Sequence, residues 1–406
     1  MRIAIYENLP PGGALRVSYQ VGRELLARGH QVDLFRISTY GDKGSFDLAH
    51  EAGLTRVAPY RPLWGMLDER LRTGHLFPRS YTLFGPLKRV HRQLAAEIRA
   101  GGYDVVLVNP DAMTKSPYAL RWLDGVPTVY YCQEPPRVST ERAIFEQHRR
   151  DVTRTHRPLR PVRLIEDKVV LVRLTDEDYE NTRHATTIVV NSVYSRERAW
   201  AAYARNAVVC YLGIDEARFS PAGSTHERRH EVLSVGAPVS LKGHMLVAEA
   251  LALLPAERRP ALRVVLPRPG GTEQLEQLAR DRGVELTIDS AVDEDALVER
   301  YRAATATICA ARLEPFGLTA IESMGCGTAV VAIREGGFRE SVVDGVTGVL
   351  VEPEAQALAD GIARVAYDPP FAQRLGDAGR REVLARWTWK RTVDQMEQIL
   401  EDAIGR

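Results

Sequence analysis

The sequence predicts an α/β protein of two similar domains, each a parallel sheet covered by helices, with the two sheets facing each other across a cleft. Three observations carry this expectation. Short β-branched runs that end in Gly, Pro or polar residues alternate with stretches of helical period, a pattern of parallel sheets. The alternation occurs in two blocks, and at 406 residues the chain is too long for one ordinary core. Between the blocks lies "VVCYLGIDEARFSPAGSTHERRHE", rich in Gly, Pro and Ser and poor in helical period.

In the first block the strand candidates are "RIAIY" (2–6), "QVDLFRI" (31–37), "DVVLVN" (104–109), "TVYYCQ" (128–133) and "TTIVVNS" (186–192). In the second they are "EVLSVG" (231–236), "LRVVLP" (262–267), "ELTID" (285–289), "ATICAA" (306–311) and "AVVAI" (329–333). The expected division is an N-terminal domain at 1–212, a hinge at 213–228 and a C-terminal domain at 229–385. A last amphipathic helix at 386–406, apolar at Trp389, Val393, Met396 and Leu400, is expected to cross back to the N-terminal domain.

Hydrophobic residues make up 45% of the chain and charged residues 26%, close to soluble globular averages. No apolar run approaches the roughly 18 residues of a membrane helix. A formal net charge of +1 argues against nucleic-acid binding, which calls for a strong basic excess. The opening "MRIAIY" is strand-like and lacks the features of an export signal, so a cytoplasmic location is expected. Cys132, Cys210, Cys309 and Cys326 are scattered without C-x-x-C or His-paired spacing, which points to buried free thiols rather than a disulfide framework or a zinc site.

Residues 134–175 break the alternation, crowded with Arg and interrupted by Pro. They read as a solvated, partly helical insertion, or as a basic surface that receives an anionic acceptor or lipid headgroups. The 137–173 region is thus the candidate for peripheral contact at the inner membrane face. The acidic run "DED" at 176–178 reads as surface.

Gly12 and Gly13 follow the first strand and precede a helix apolar at Leu15, Val17, Val21, Leu25 and Leu26. They can bring backbone N–H groups close to an anion or a sugar, or simply make a tight turn. A dinucleotide site is disfavoured, since the full G-x-G-x-x-G spacing is missing. In the second block "VGAPVSLKGH" sets Gly236 at a strand end and Lys242 before the next helix. Lysine is scarce in this Arg-rich chain, and a compact cation at such a turn can neutralise a departing phosphate.

The stretch "EPFGLTAIE" (314–322) follows "ATICAA", so Glu314 lies beyond the carboxyl end of a strand, where open α/β sheets bind ligands. Pro315 and Gly317 disfavour helix, and the helix is expected to start near Leu318. Glu314 is then a loop residue, and Glu322 stands about 6 Å, one turn, into the helix and leans back toward the loop. Backbone N–H groups at Phe316, Gly317, Leu318 and Thr319 would lie between them and favour phosphate. Carboxylates flanking a diphosphate are best used on hydroxyl pairs, and a nucleotide sugar carries such pairs at both ends. The pattern reads as a clamp, with ribose at Glu322 and hexose at Glu314.

The segment "RLEPFGLTAIESMGCGTAVVAIREGGFRESVVDGVTGVLVEP" (312–353) resembles the donor-site signature of family four retaining glycosyltransferases, which have the GT-B fold of two Rossmann-like domains. "PPGGALRVSYQVGRELLARGHQVDL", "VVNSVYSRE", "YLGIDEARFSP" and "VGAPVSLKGH" resemble the family's first loop and helix, last N-domain strand, linker and phosphate turn. The resemblance implies that Glu322 binds ribose, Glu314 contacts the donor hexose and Lys242 binds the diphosphate. It further implies that Gly336 and Gly337 border the donor, and that Gly12 and Gly13 approach it from the other domain.

Two departures stand out. The family usually has an Arg where this chain has Ala237, and often a His where it has Gln133. Gln133 donates a hydrogen bond but is no acid or base; Arg312, Arg334 and Arg268 are candidates for the lost charge. The expected activity is retaining transfer of a hexose from UDP- or GDP-hexose to a hydroxyl acceptor, whether glycan, lipid-linked sugar or small molecule. No cofactor and no metal are expected. Two alternatives stay open: a sugar-nucleotide epimerase, which shares the fold but needs an acid or base where Gln133 stands, and a catalytically weak nucleotide-sugar binder, which Ala237 and Gln133 together raise.

Overall fold

The structure, a computed structural model, describes residues 1–10, 12–39, 46–60, 79–136, 141, 145–146, 160–223 and 228–405. The chain forms two compact units. One comprises Met1–Asn191, Ser195–Cys210 and Val393–Arg406; the other comprises Ser192–Tyr194 and Tyr211–Thr392. Most of 137–173, the stretch expected to face a membrane, lies outside the described residues. No helix among the described residues is long and apolar enough to cross a membrane.

The first unit is a parallel sheet of β1 (Arg2–Asn8), β2 (Gln31–Ile37), β3 (Thr55–Ala58), β4 (Val105–Asp111), β5 (Thr128–Tyr131), β6 (Thr187–Val190) and β7 (Val208–Val209), ordered β3-β2-β1-β4-β5-β6-β7. Its order reverses between β1 and β4, the place where a doubly wound sheet opens a crevice at its carboxyl edge. Helix α1 (Gly13–Ala27) buries Leu15, Val17, Val21 and Leu25, the stripe the sequence presents. Helices α2 (Arg79–Ala100), α3 (Arg160–Arg183) and α4 (Val193–Tyr203) follow. The core on one side of the sheet is aromatic, with Tyr6, Phe35, Phe84, Tyr118, Tyr130 and Tyr203.

The second unit is a parallel sheet of β8 (Arg229–Val235), β9 (Ala261–Leu266), β10 (Leu286–Ser290), β11 (Ala304–Cys309), β12 (Ala329–Ile333) and β13 (Val349–Val351), ordered β10-β9-β8-β11-β12-β13. Here the order reverses between the paired neighbours β8 and β11. The turns leaving these two strands carry Lys242 and Glu314. The helices are α5 (His244–Ala252), α6 (Glu273–Arg282), α7 (Glu294–Ala303), α8 (Leu318–Gly325), α9 (Phe338–Ser341), α10 (Ala355–Ala366), α11 (Pro369–Arg386) and α12 (Trp389–Ile404), the last contributing Val393 onward to the first unit.

Residues 213–223 lie against this second unit. Ile214 bridges to Thr388, and Arg380 donates to the carbonyls of Glu216 at 3.0 Å and Phe219 at 2.8 Å. On α12 the four apolar positions Trp389, Val393, Met396 and Leu400 are all buried. All four cysteines are free and buried, and burial pushes each thiol up to about 12.

The surface reading of 176–178 fails at its last residue. Asp178 is 1% exposed because α3 turns it inward, where it accepts from the Ser116 N–H at 2.7 Å, the Ser116 hydroxyl at 2.6 Å and the Tyr203 hydroxyl at 2.8 Å. Glu177 takes Lys88 at 2.6 Å and Arg121 at 2.7 Å. These partners lie far away in sequence, so the run reads as solvated only until the chain is folded.

Candidate active site

The site in the second unit is built on the two strands that flank its reversal point. After β8 the chain turns through Gly236 and a short 3-10 turn, Ser240–Lys242, and enters α5 at His244. The loop leaving β11 lies beside this turn, and the Arg312 N–H donates to the Leu241 carbonyl at 2.8 Å. Gly243 permits the approach: its φ is +75°, and a Cβ there would stand 2.2 Å from the Ala310 carbonyl oxygen. The result is a pair of carboxyl-end loops locked together by backbone contact.

Glu314 and Lys242 meet across this junction, with Nζ 2.8 Å from Oε2. Both side chains are partly exposed, at 21% and 34%, so a polar ligand can reach them. A third loop holds Glu314 from behind: the Gly337 N–H donates to the Glu314 carbonyl at 2.8 Å. Gly336, at φ +55°, passes so close that a Cβ would stand 2.3 Å from the same oxygen. The sequence-predicted Gly336 and Gly337 thus act on the backbone of Glu314.

Helix α8 starts at Leu318 with Gly317 as its N-cap, where Pro315 and Gly317 place it. The first N–H groups of such a helix have no intrahelical acceptor. Leu318 and Thr319 are partly exposed at this end. Phe316 differs: its ring is 2% exposed and packs against Trp387 at 5.6 Å. Only its backbone is left for a ligand.

Glu322, one turn into α8, is 4% exposed and accepts from the Tyr301 hydroxyl at 2.8 Å. Burial raises the Cys309 thiol, and Glu314, Glu322 and Lys242 all act on it electrostatically.

In the first unit Gly12 caps α1 without a side-chain bond and is exposed, as is Gly13. Gln133, just beyond β5, is 7% exposed. Its Nε2 donates to the Ala14 carbonyl at 3.3 Å, and its own carbonyl accepts from Asn191 at 3.0 Å. The fold thus brings Gln133 to the start of the Gly-led helix α1.

Residues 11–218 match the family described as Glycosyltransferase Family 4, and residues 215–382 match Glycosyl transferases group 1. The chain belongs to glycosyltransferase family 4. The D-inositol 3-phosphate glycosyltransferase of Thermobifida fusca (strain YX) is 28% identical over 97% of this chain and 89% of its own. That of Geodermatophilus obscurus is 37% identical over 47% of this chain and 46% of its own. Among solved structures, sucrose-phosphate synthase from Thermosynechococcus elongatus superposes with a TM-score of 0.72 at 22% identity, covering 100% of this chain and 99% of that one. Anabaena HepE in complex with UDP-glucose gives 0.71 at 20% identity, covering 99% and 100%. The fold is GT-B, and the chain is a glycosyltransferase.

Against the family pattern, Ala237 leaves the turn after β8 with one cation fewer. Arg312 forks onto Glu335 at 2.8 Å and 2.7 Å. Arg334 pairs with Asp344 at 2.6 Å. Arg268 stands exposed just beyond β9, the strand paired with β8, and has no ion-pair partner among the described residues. Of the three candidates it is the one left available.

Sequence reasoning missed Tyr301 and Glu335. Tyr301 sits in a helix whose charged residues dominate its pattern, and no local signal ties it to a carboxylate 21 positions on. Glu335 hides inside the "REGGFRE" stretch, where the glycines draw attention; only the fold shows that it fixes Arg312 and receives the Leu313 N–H at 3.3 Å.

Proposed function

We propose that this glycosyltransferase moves a hexose from UDP- or GDP-hexose to a hydroxyl acceptor with retention of configuration. The observation that carries the reading is the pairing of Lys242 with Glu314 in the loop that leads into α8, with Glu322 buried one turn into that helix. The diphosphate would lie at the α8 N-terminus, where N–H groups and the helix dipole favour an anion, with Lys242 beside it. Glu322 would accept from the ribose hydroxyls and Glu314 from the hexose.

The chemical step asks for stabilisation of a leaving diphosphate rather than for a protonated carboxylic acid. Lys242 and the amides at 317–319 are the groups placed for that work, and we assign the reaction no cofactor and no metal. A front-face retaining path, in which the acceptor hydroxyl enters on the side the diphosphate leaves, needs no enzyme nucleophile. Gln133 would then serve by donating a hydrogen bond. HepE, of the same fold, has been solved with UDP-glucose, which supports a nucleotide-sugar donor. The inositol phosphate relatives support a hydroxyl acceptor of polyol type.

A thermal-shift panel of uridine, guanosine and adenosine diphosphates and their hexoses tests the donor. A ligand at 100 times its Kd adds about 2.7 kcal/mol of apparent stability; a panel without any shift overturns the proposal. Incubation with the donor alone then separates slow hydrolysis, expected here, from epimerisation or binding without turnover, either of which contradicts it.

A further inference from the structure

We propose that Tyr301 is the positioning residue for Glu322, a fixed phenol donor that sets the plane in which the carboxylate meets a diol. The inference rests on the reading that Glu322 receives the ribose hydroxyls, and goes beyond it by naming what makes that carboxylate selective.

Tyr301 is fully buried, and its hydroxyl reaches Glu322 Oε2 at 2.8 Å from a different helix, α7 rather than α8. The phenol has little freedom. Its ring meets Phe219 at 6.2 Å and 64°, and its carbonyl accepts from the Thr328 hydroxyl at 2.7 Å. That hydroxyl is held in turn by Arg228 Nη1 at 2.7 Å. The next residue, Arg302, anchors the end of α7 by donating to the Ser220 carbonyl at 2.7 Å.

A carboxylate carries about four lone-pair sites in one plane. A glutamate that rotates freely loses entropy when a ligand fixes it, and a diol gains little from it. Tyr301 helps fix the plane before the ligand arrives and supplies one bond to a charge taken out of water. Burial, and then the Glu322 charge, push the phenol well above its ordinary range, so it remains a donor at every working pH. Its absence should therefore be felt by the hydroxyls of the ribose and not by the base or the phosphates.

The test compares UDP and GDP with their 2′,3′-dideoxy counterparts by calorimetry on the full chain. The wild type should prefer the ribonucleotide about tenfold or more, the worth of a hydrogen bond to a charged group. In Tyr301→Phe that preference should collapse to about threefold or less, while affinity for the dideoxy form stays within about threefold. In turnover, the donor KM should rise and kcat should hold. If the wild type shows no preference, the ribose assignment of Glu322 falls, and this inference with it. If Y301F keeps the wild-type preference, or loses both ligands equally, the positioning role is refuted while the ribose assignment stands. Should Y301F not fold, 3-fluorotyrosine at 301 preserves the bond and reports by its fluorine signal. That signal should shift with bound ribonucleotide and not with bound dideoxynucleotide; the same signal in both overturns the inference.

Discussion

Lys242 Nζ lies 2.8 Å from Glu314 Oε2, although 72 positions separate the two residues. The pair neutralises within the protein the cation that a diphosphate would claim. A partly exposed ion pair of this kind contributes roughly 0–1 kcal/mol, so its two members are held together at little cost to exchange. On the proposed function, an incoming diphosphate would draw Lys242 toward itself and release Glu314 to accept hydroxyls.

Lys242→Ala should therefore separate stability from catalysis. Turnover is expected to fall about 10²–10³-fold, the usual loss for one preorganised donor to developing charge. The melting temperature of the free protein should move only by the loss of a weak surface pair. Steady-state kinetics beside a melting scan checks both; full activity in the variant would remove Lys242 from the reaction.

Glu322→Ala should act on binding instead. Glu322 is 4% exposed and bonded to Tyr301, and ribose is the same in donor and leaving group. On the proposed ribose assignment its contacts would contribute equally to ground and transition states, and their loss would raise KM without lowering kcat. We expect donor KM up by about tenfold or more with kcat within about threefold. A large fall in kcat at unchanged KM would contradict the ribose assignment.

Gly336→Ala tests whether the third loop places Glu314. At φ +55° a Cβ would meet the Glu314 carbonyl oxygen at 2.3 Å, so both backbone strain and a clash with another backbone follow. The loop must shift and carry Glu314 away from Lys242. A loss of about 1–3 kcal/mol in stability is expected, with activity falling further than in a control of equal stability loss elsewhere. Gly223→Ala, which meets nothing within 4 Å, should leave activity unchanged. Retained activity in Gly336→Ala would uncouple the loop from the site.

How much of this was legible depends on where each signal sits. All ten strand runs read from β-branched residues and turn signals fall on strands, because a buried parallel strand writes its pattern locally. The strands that went unread, Thr55–Ala58, Val208–Val209 and Val349–Val351, are short edges with too few residues to carry a period. The start of α8 was legible because Pro315 and Gly317 act on their own backbone. Tyr301, Glu335 and Asp178 were not, since their partners come from other elements. A carboxylate that looks solvated in "DED" becomes buried only when Ser116 and Tyr203 arrive from 62 and 25 positions away.

Asp178 gives the pH prediction. Burial raises its carboxyl from 3.8 to about 6, against the opposing bonds from Ser116 and Tyr203 and the charge of Lys115. Between these two values the native protein holds a proton that the unfolded chain has released. Stability from this group therefore falls as pH rises through that window. The cost is absent below the unfolded value and complete above the folded one, about 3 kcal/mol. Asp178→Asn stays neutral throughout and cannot titrate, although it weakens the bonds from Ser116 or Tyr203 by a constant amount. The stability of the wild type relative to D178N should thus decline by about that figure between about pH 4 and pH 7. Hydrogen exchange at the amides of β5 and β6 reads the opening of the first unit, with each variant followed across the window. A difference that stays flat, or rises with pH, would mean that Asp178 is charged in the native protein even at pH 4.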